Sequence, residues 1–128
     1  MKYGSSAIIL SEDRTKVLLT KRVYPPFPDF WEIPGGHKGD NETSEECAVR
    51  EMREETGLVV RIVKHIHKIV EKEKNQTTNV YLCRLKTNRI ELGAEVSDIK
   101  FFDLSDLPED IVPVHRDVLV KHREMLNE

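Results

Sequence analysis

The sequence predicts an α+β fold in which a mixed β-sheet is covered by helices on both faces. The chain has 128 residues, enough to bury the core of one domain and too few for two ordinary domains. Strand-like aliphatic runs stand on both sides of a strongly marked helix, and an amphipathic segment follows the last run. This order suits a sheet with a helix on each face, so we expect a single domain over residues 1–128.

Two strands and a stiff loop are predicted before the helix. Ser5–Leu10 and Lys16–Arg22 are aliphatic or β-branched runs separated by the polar segment SEDRT, a pattern typical of a β-hairpin. Residues 23–30 have three prolines and three aromatic rings, which fit neither a helix nor a strand. A strand is expected to end at Ile33–Pro34. The pair Gly35–Gly36 then forms a loop that permits unusual backbone angles or close contacts.

The best-marked element is a helix between Thr43 and Gly57. Thr43 followed by Glu46 forms a capping box, and Gly57 suits a left-handed cap at the other end. One arc of the helix is apolar, and a neighbouring arc carries three carboxylates, those of Glu51, Glu54 and Glu55. Three like charges so close together either bind a hard divalent cation such as Mg²⁺ or form a solvated acidic face.

The second half of the chain is predicted to contain three more strands and a final helix. The strands are Val59–Val70, Thr77–Leu85 and Ile99–Phe102, and the polar segment EKEKNQ joins the first two. The final helix is Val114–Leu126, whose apolar residues recur at helical spacing.

The histidines and cysteines indicate neither a zinc site nor a disulfide framework. His65 and His67 are two positions apart on a strand, so we expect them on one face. Such a pair can ligate zinc, but no further set of cysteines and histidines accompanies it, and we expect both to be exposed. Cys47 and Cys83 are too few for a framework and are expected to be reduced thiols.

Composition and charge argue against several classes of protein. Charged residues make up 34% of the chain and nearly balance, with a net charge of −3, which does not indicate a nucleic-acid-coating or membrane-surface protein. The apolar runs are too short to cross a bilayer, and the amino terminus lacks a signal-peptide core. We therefore expect a cytoplasmic monomer or homodimer with no membrane partner and no stable nucleic-acid partner.

The residue spacing in and before the helix resembles a known signature. Gly36, Glu42 and the run Arg50–Leu58 match G-x5-E-x7-R-E-U-x-E-E-x-G-U at every specified position, U being a bulky aliphatic residue. Residues 36–58 thus resemble the Nudix box of the Nudix hydrolase superfamily. The resemblance implies the Nudix α/β/α sandwich with a mixed sheet. The chain length and the segment WEIPGG are most similar to single-domain, MutT-like members.

The resemblance also implies a metal-dependent reaction. Members of the superfamily hydrolyse nucleoside diphosphates linked to another group by attack of water at phosphorus, and the expected cofactor is Mg²⁺, with Mn²⁺ as an alternative. Glu51, Glu54 and Glu55 would bind the metal together with the backbone carbonyl of Gly35. Glu42 would fix the preceding loop.

Several residues remain candidates for the catalytic groups. Arg50 would orient a glutamate. The general base would be a glutamate of the box, Glu51 or Glu54, or a carboxylate of a later loop, Glu95 or Asp98, provided that it reaches the attacking water.

The expected substrate is a nucleoside triphosphate that is cleaved to a monophosphate. Its base would lie between the ring-rich loop, through Tyr24, Phe30 and Trp31, and the loop before the final helix. These rings can equally cap the core, which is the more usual place for Trp31. Arg22 would lie near the phosphates or serve only as an edge-strand charge. Asp110 is the nearest polar candidate for the asparagine with which MutT reads guanine.

Other substrates remain open at this point. ADP-ribose, dinucleoside polyphosphates and 5′-capped RNA are alternatives, although residues 59–76 carry neither the proline nor the tyrosine that marks the first two subgroups. A non-catalytic nucleotide sensor is the less favoured alternative, because none of the box glutamates is missing.

Overall fold

The strands of this protein form two sheets in the computed structural model, which describes residues 1–87 and 89–128. Within these residues there are seven strands and two α-helices. In chain order they are β1 (Lys2–Ile9), β2 (Lys16–Arg22), β3 (Trp31–Glu32), β4 (Gly35–His37), α1 (Ser44–Thr56), β5 (Val60–Glu71), β6 (Gln76–Leu85), β7 (Val96–Asp103) and α2 (Pro113–Leu126). Among the described residues, neither helix has the length and apolar character needed to cross a membrane.

The larger sheet is mixed, as the sequence predicts. Its four strands lie in the order β4-β1-β6-β5, with β1 and β6 parallel and the other neighbours antiparallel. The second sheet has three antiparallel strands in the order β3-β2-β7. The sequence pattern did not predict this division into two sheets.

The two helices cover opposite faces of the mixed sheet. Side chains alternate along β1, so that Ala7 and Ile9 pack with α1 residues such as Met52. Ile8 points the other way and packs in a second core with α2 residues such as Leu119. The α/β/α arrangement is therefore confirmed, with one hydrophobic core on each side of the sheet.

The predicted hairpin between the first two strands is wrong. Only an isolated bridge between Leu10 and Val17 links them, and β2 then enters the other sheet. The reason is that both edges of β1 are already paired, with β4 on one side and β6 on the other. The connecting segment is instead ordered by Asp13, whose carboxylate accepts hydrogen bonds from the Ser11 and Thr15 hydroxyls, each 2.7 Å long.

The glycine pair belongs to a strand and not to a loop. Gly35 and Gly36 lie in β4, which pairs with β1 at Ser6 and Ser5. A Cβ atom on Gly35 would lie 2.2 Å from the Ser5 carbonyl oxygen, so close backbone approach explains this glycine. Of the described glycines, only Gly57 has a positive φ, 77°, and it forms the expected left-handed cap of α1. The capping box of Thr43 and Glu46 is also confirmed.

The prediction that His65 and His67 share a face is wrong. A β-bulge shifts the register of β5 between them, and an extra residue in a bulge turns the following side chain to the other face. His65 lies beside Tyr81 on the α1 side, whereas the His67 Nδ1 atom is 3.0 Å from the Nε2 atom of His122 in α2. The two histidines therefore belong to different surfaces.

Candidate active site

Two of the three expected carboxylates meet the glycine strand. The Gly35 backbone N–H donates to Oε1 of Glu55 over 2.9 Å. A Cβ atom on Gly36 would lie 2.3 Å from the carboxyl carbon of Glu51, so only glycine leaves room for that group. Glu51 and Glu55 are 9% and 5% exposed, which is unusual for glutamates and shows that α1 directs them inward.

Glu54 does not join this pair. Its side chain is 58% exposed, and its Oε2 atom lies 3.0 Å from a guanidinium nitrogen of Arg50. Among the described residues, no three His, Cys, Asp or Glu side chains are placed together as metal ligands. The helical arc that the sequence predicts is present, but one of its three carboxylates faces solvent.

Arg50 connects the loop before α1 to its carboxylate face. It holds Glu42 through two hydrogen bonds of 2.9 Å each, and it also donates to Glu51, to Glu54 and to the His37 carbonyl oxygen. These bonds from Arg50 lower the pKa of Glu42 to about 2. Arg50 thus links the loop residue Glu42 to Glu51 and Glu54 on α1 through charge-assisted hydrogen bonds.

Positive charge offsets the two buried carboxylates unequally, because Arg50 pairs with Glu51, whereas Glu55 accepts a backbone N–H from Gly35. Burial is the main cause that raises the pKa of Glu55 to about 9, and the nearby carboxylates of Glu32, Glu51 and Glu95 contribute to the same shift. Burial also raises the pKa of Glu51, although Arg50 opposes that shift. A hard divalent cation prefers carboxylate oxygens as ligands, and it would supply the positive charge that these buried glutamates need. The residues therefore fit Mg²⁺ or Mn²⁺.

A cleft of about 420 Å³ opens beside Glu55. Its size is in the range of small-molecule binding sites. The site residues proposed from the sequence that line this cleft are Arg22, Tyr24, Gly35, Glu55 and Glu95.

The other site residues proposed from the sequence do not line the cleft. Trp31 is buried in the core against Phe102, with ring centroids 4.8 Å apart, and its backbone N–H donates to the Asp110 carbonyl oxygen. Phe30 packs against Phe27 with ring centroids 5.2 Å apart and tilted by 41°, and Phe27, not Phe30, lines the cleft. Asp98 pairs with Lys21 in the β2–β7 ladder and accepts a hydrogen bond from its neighbour's backbone N–H.

His115 is the main cleft residue that sequence reasoning missed. It follows the start of α2, and its Nδ1 atom accepts a 2.9 Å hydrogen bond from the Ile33 backbone N–H. Burial lowers the pKa of His115 to about 4, with Arg22 and Lys74 contributing. The neutral ring must then carry its proton on Nε2, so that this cleft-lining residue keeps one ring N–H donor. In the sequence, the only feature that could have suggested this role is the presence of a histidine in the first turn of the predicted final helix.

Glu32 was also missed, although it stands in the segment WEIPGG. Its Oε1 atom lies 2.8 Å from Arg22 NH1, with the two side chains only 14% and 24% exposed. Burial raises the pKa of Glu32, whereas Arg22 lowers it. Lys74, on the turn between β5 and β6, also lines the cleft and lies 3.3 Å from the carboxylate of Glu71, another lining residue.

Comparison with known proteins gives a consistent match. The family model described as NUDIX domain matches residues 2–121. An ADP-ribose pyrophosphatase of Methanocaldococcus jannaschii is 30% identical over 102 residues, which are 77% of this chain and 60% of that protein. An 8-oxo-dGTP diphosphatase of Proteus vulgaris is 55% identical over 60 residues, 46% of this chain and 54% of that one.

A solved structure shares the architecture over nearly the whole chain. The crystal structure of a NUDIX hydrolase from Nitrosomonas europaea superposes with a TM-score of 0.88 at 28% identity, covering 96% of this chain and 70% of that chain. The present chain spans three fifths or less of the two curated relatives that it matches.

Proposed function

Because this chain belongs to the NUDIX domain family, we propose that it hydrolyses the pyrophosphate bond of a nucleoside diphosphate linked to another group. One observation carries the proposal. The buried carboxylates of Glu51 and Glu55 lie against the strand Gly35–Gly36 at the side of a nucleotide-sized cleft. A buried carboxylate with a raised pKa in a cleft, here that of Glu55, is typical of a functional site.

In this proposal, Glu51, Glu54 and Glu55 hold Mg²⁺ or Mn²⁺ together with the carbonyl of Gly35. The bound cation would screen the charge of the pyrophosphate and acidify a water molecule. Glu54 is available for this role because its exposed ion pair with Arg50 contributes only about 0.3–0.5 kcal/mol. Arg50 keeps Glu51 in place through its 2.9 Å ion pair.

Glu95 is the carboxylate that we propose as general base. It lines the cleft and is close enough to raise the pKa values of Glu55, Glu51 and Glu32. Its side chain is exposed, so it can receive a proton from water in the cleft. Asp98 lies outside the cleft lining, and Glu51 is already bound to Arg50.

For the substrate, we propose a nucleoside triphosphate that is cleaved to a monophosphate. Tyr24 and Phe27 provide apolar rings for a base, and the Nε2–H group of His115 provides a donor for an acceptor atom on that base. ADP-ribose is the second candidate. The observation favouring it is that the ADP-ribose pyrophosphatase of Methanocaldococcus jannaschii aligns with 77% of this chain.

The substrate proposal is tested by comparing kcat/KM for dGTP, 8-oxo-dGTP, ADP-ribose and diadenosine tetraphosphate with Mg²⁺ present. We expect one of the triphosphates to be preferred. A preference of about tenfold for either of the other two, equivalent to about 1.4 kcal/mol of transition-state discrimination, would overturn the substrate class. Hydrolysis of none of the four would contradict the proposed reaction itself.

The role of the buried carboxylates is tested with Glu55→Gln. The amide oxygen of glutamine can still accept the Gly35 hydrogen bond, but the charge that would hold the metal is lost. We expect kcat to fall by roughly 10²-fold or more, the loss typical of a major electrostatic contributor. Glu124→Gln, an exposed substitution on α2, removes the same charge elsewhere and should leave kcat unchanged. Circular dichroism should show both variants folded.

A further inference from the structure

Arg22 lies in the cleft lining with its guanidinium group already engaged. Its NH1 atom donates to Glu32 over 2.8 Å, and its Nε atom donates to the Pro26 carbonyl oxygen over 3.0 Å. Its NH2 atom makes longer contacts, of 3.4 and 3.5 Å, with the carbonyl oxygens of Tyr24 and Pro25. All three side-chain nitrogens thus have partners within the protein, and most of those partners belong to one loop.

The backbone of Arg22 holds the other end of the same loop. Its N–H donates to the Phe30 carbonyl oxygen over 2.8 Å, and its carbonyl oxygen accepts from the Asp29 N–H over 2.9 Å. One residue therefore binds residues 24–26 through its side chain and residues 29–30 through its backbone.

Besides its contacts with Arg22, this loop is held by a hydrogen bond from the Phe30 N–H to the Phe27 carbonyl oxygen and by the contact between these two rings. Residues 23–29 are all exposed, so none of their side chains anchors the loop in the core. Phe27 and Asp29 have positive φ angles of 64° and 66°, a conformation that non-glycine residues adopt only when their surroundings enforce it. Arg22 helps to enforce these angles, since it bonds the Asp29 N–H and the carbonyl oxygen of Pro26, the residue before Phe27. Residues 23–27 nevertheless line the cleft, so the position of this wall depends on Arg22 and its partner Glu32.

We propose that Arg22 is a positioning residue that sets substrate affinity by fixing the cleft wall formed by residues 23–27, and that it does not bind the substrate phosphates. The proposal rests on the proposed function, since it assigns this wall to the substrate. Glu32 is the buried anchor of Arg22. Only a planar group with several divergent donors can meet a carboxylate and loop carbonyls together, which explains an arginine at this position.

The test compares Arg22→Lys with the wild type. Lysine keeps the charge beside Glu32 but loses the fork that reaches the loop carbonyls. We expect amide hydrogen exchange of Asp29 and Phe30, measured without substrate, to accelerate about tenfold or more. We also expect KM for the preferred nucleotide to rise about tenfold while kcat stays within about threefold. Glu32→Gln should shift both quantities in the same direction but by less.

Two controls sharpen the comparison. Lys16→Gln removes an exposed charge from the same strand and should change neither loop exchange nor KM. In a double-mutant cycle, Arg22→Lys and Tyr24→Ala should be strongly non-additive in KM, because both act through the same wall.

Two results would overturn the proposal. A lysine variant with unchanged loop exchange and nearly normal KM would show that the guanidinium fork is not what positions the wall, because lysine retains the charge but not the fork. Faster exchange with unchanged KM would show that the wall does not determine affinity. If the wild type cleaves no nucleotide, the proposed function fails, whereas the exchange measurement still decides whether Arg22 holds the loop.

Discussion

At the scale of single residues, His115 has the clearest pH signature. An exposed imidazole has a pKa of about 6.5, whereas burial lowers that of His115 to about 4. Between these values the unfolded chain binds a proton that the folded chain does not. Neutral, buried His115 therefore makes its full contribution to stability above pH 6.5. The free energy of unfolding falls as the pH falls from 6.5 towards 4, because the unfolded chain takes up the proton.

We predict that His115→Gln flattens this dependence. The glutamine side-chain oxygen can accept the Ile33 hydrogen bond without titrating. Urea unfolding at pH 7 and pH 5 should show that the wild type loses about 1–2 kcal/mol more than the variant over this interval. His67 and His122, whose pKa values burial also lowers, are present in both proteins and cancel in the comparison. Parallel stability profiles would contradict the prediction.

Single residues could be placed from the sequence where helical spacing alone determines the side of the helix on which they lie. Glu51 and Glu55 are one helical turn apart, so their common inward side follows from the helix alone. Glu54 shares their arc, but its side chain extends to Arg50, and periodicity does not specify such a rotamer choice. His115 was missed because its role depends on a hydrogen bond to Ile33, a contact distant in sequence.

At the scale of elements, the contact between β4 and α1 determines the candidate site. We predict that Gly36→Ala impairs it, since the new methyl group would lie 2.3–2.7 Å from the Glu51 carboxyl atoms. Glu51 is bound to Arg50 and has little room to move. Overpacking of this kind lowers the free energy of unfolding by about 1–3 kcal/mol. Both kcat and the denaturant midpoint of unfolding should therefore be lower in the variant.

Gly39→Ala is the matched control for that substitution. Its Cβ atom would approach no closer than 3.6 Å to the Glu42 carboxylate, an ordinary contact. Chemical denaturation and initial rates measured on both variants should separate them clearly. Equal behaviour of the two would refute the role given to the Gly36–Glu51 contact.

Elements whose ends are set by residues close in sequence could be predicted. Elements that form by pairing with residues distant in sequence could not. The ends of α1 follow from Thr43, Glu46 and Gly57, which all act within one or two turns. The strand β4 contains two glycines and has no strand propensity, so only its ladder with β1 creates it. The β-bulge after His65 likewise depends on the pairing with β6.

At the scale of the whole molecule, stability depends on two cores separated by the mixed sheet. Leu119 is 1% exposed in the core beneath α2, whereas the next residue, Val120, is 49% exposed. We predict that Leu119→Ala costs about 2–5 kcal/mol of unfolding free energy by leaving a cavity. Val120→Ala should change stability by no more than about 0.5 kcal/mol. Similar urea midpoints for the two variants would contradict the assignment of this core.

The three-layer architecture could be predicted because apolar periodicity tells which residues are buried. Periodicity does not tell which strands pair, and for this reason the hairpin expected for β1 and β2 was wrong. The two sheets arise because β1 is paired on both edges, and no local pattern in either strand encodes that arrangement.

The long outer strand β5 has a consequence for aggregation. It is the edge of the mixed sheet and runs for 12 residues, long enough to act as a template for another chain. Its two register shifts interrupt the regular row of backbone groups, and Lys64 and Lys68 place exposed charges along it. A foreign strand would have to reproduce both irregularities to bind, so this edge resists fibril-like growth. Deleting one residue at each bulge would straighten the strand and remove that protection.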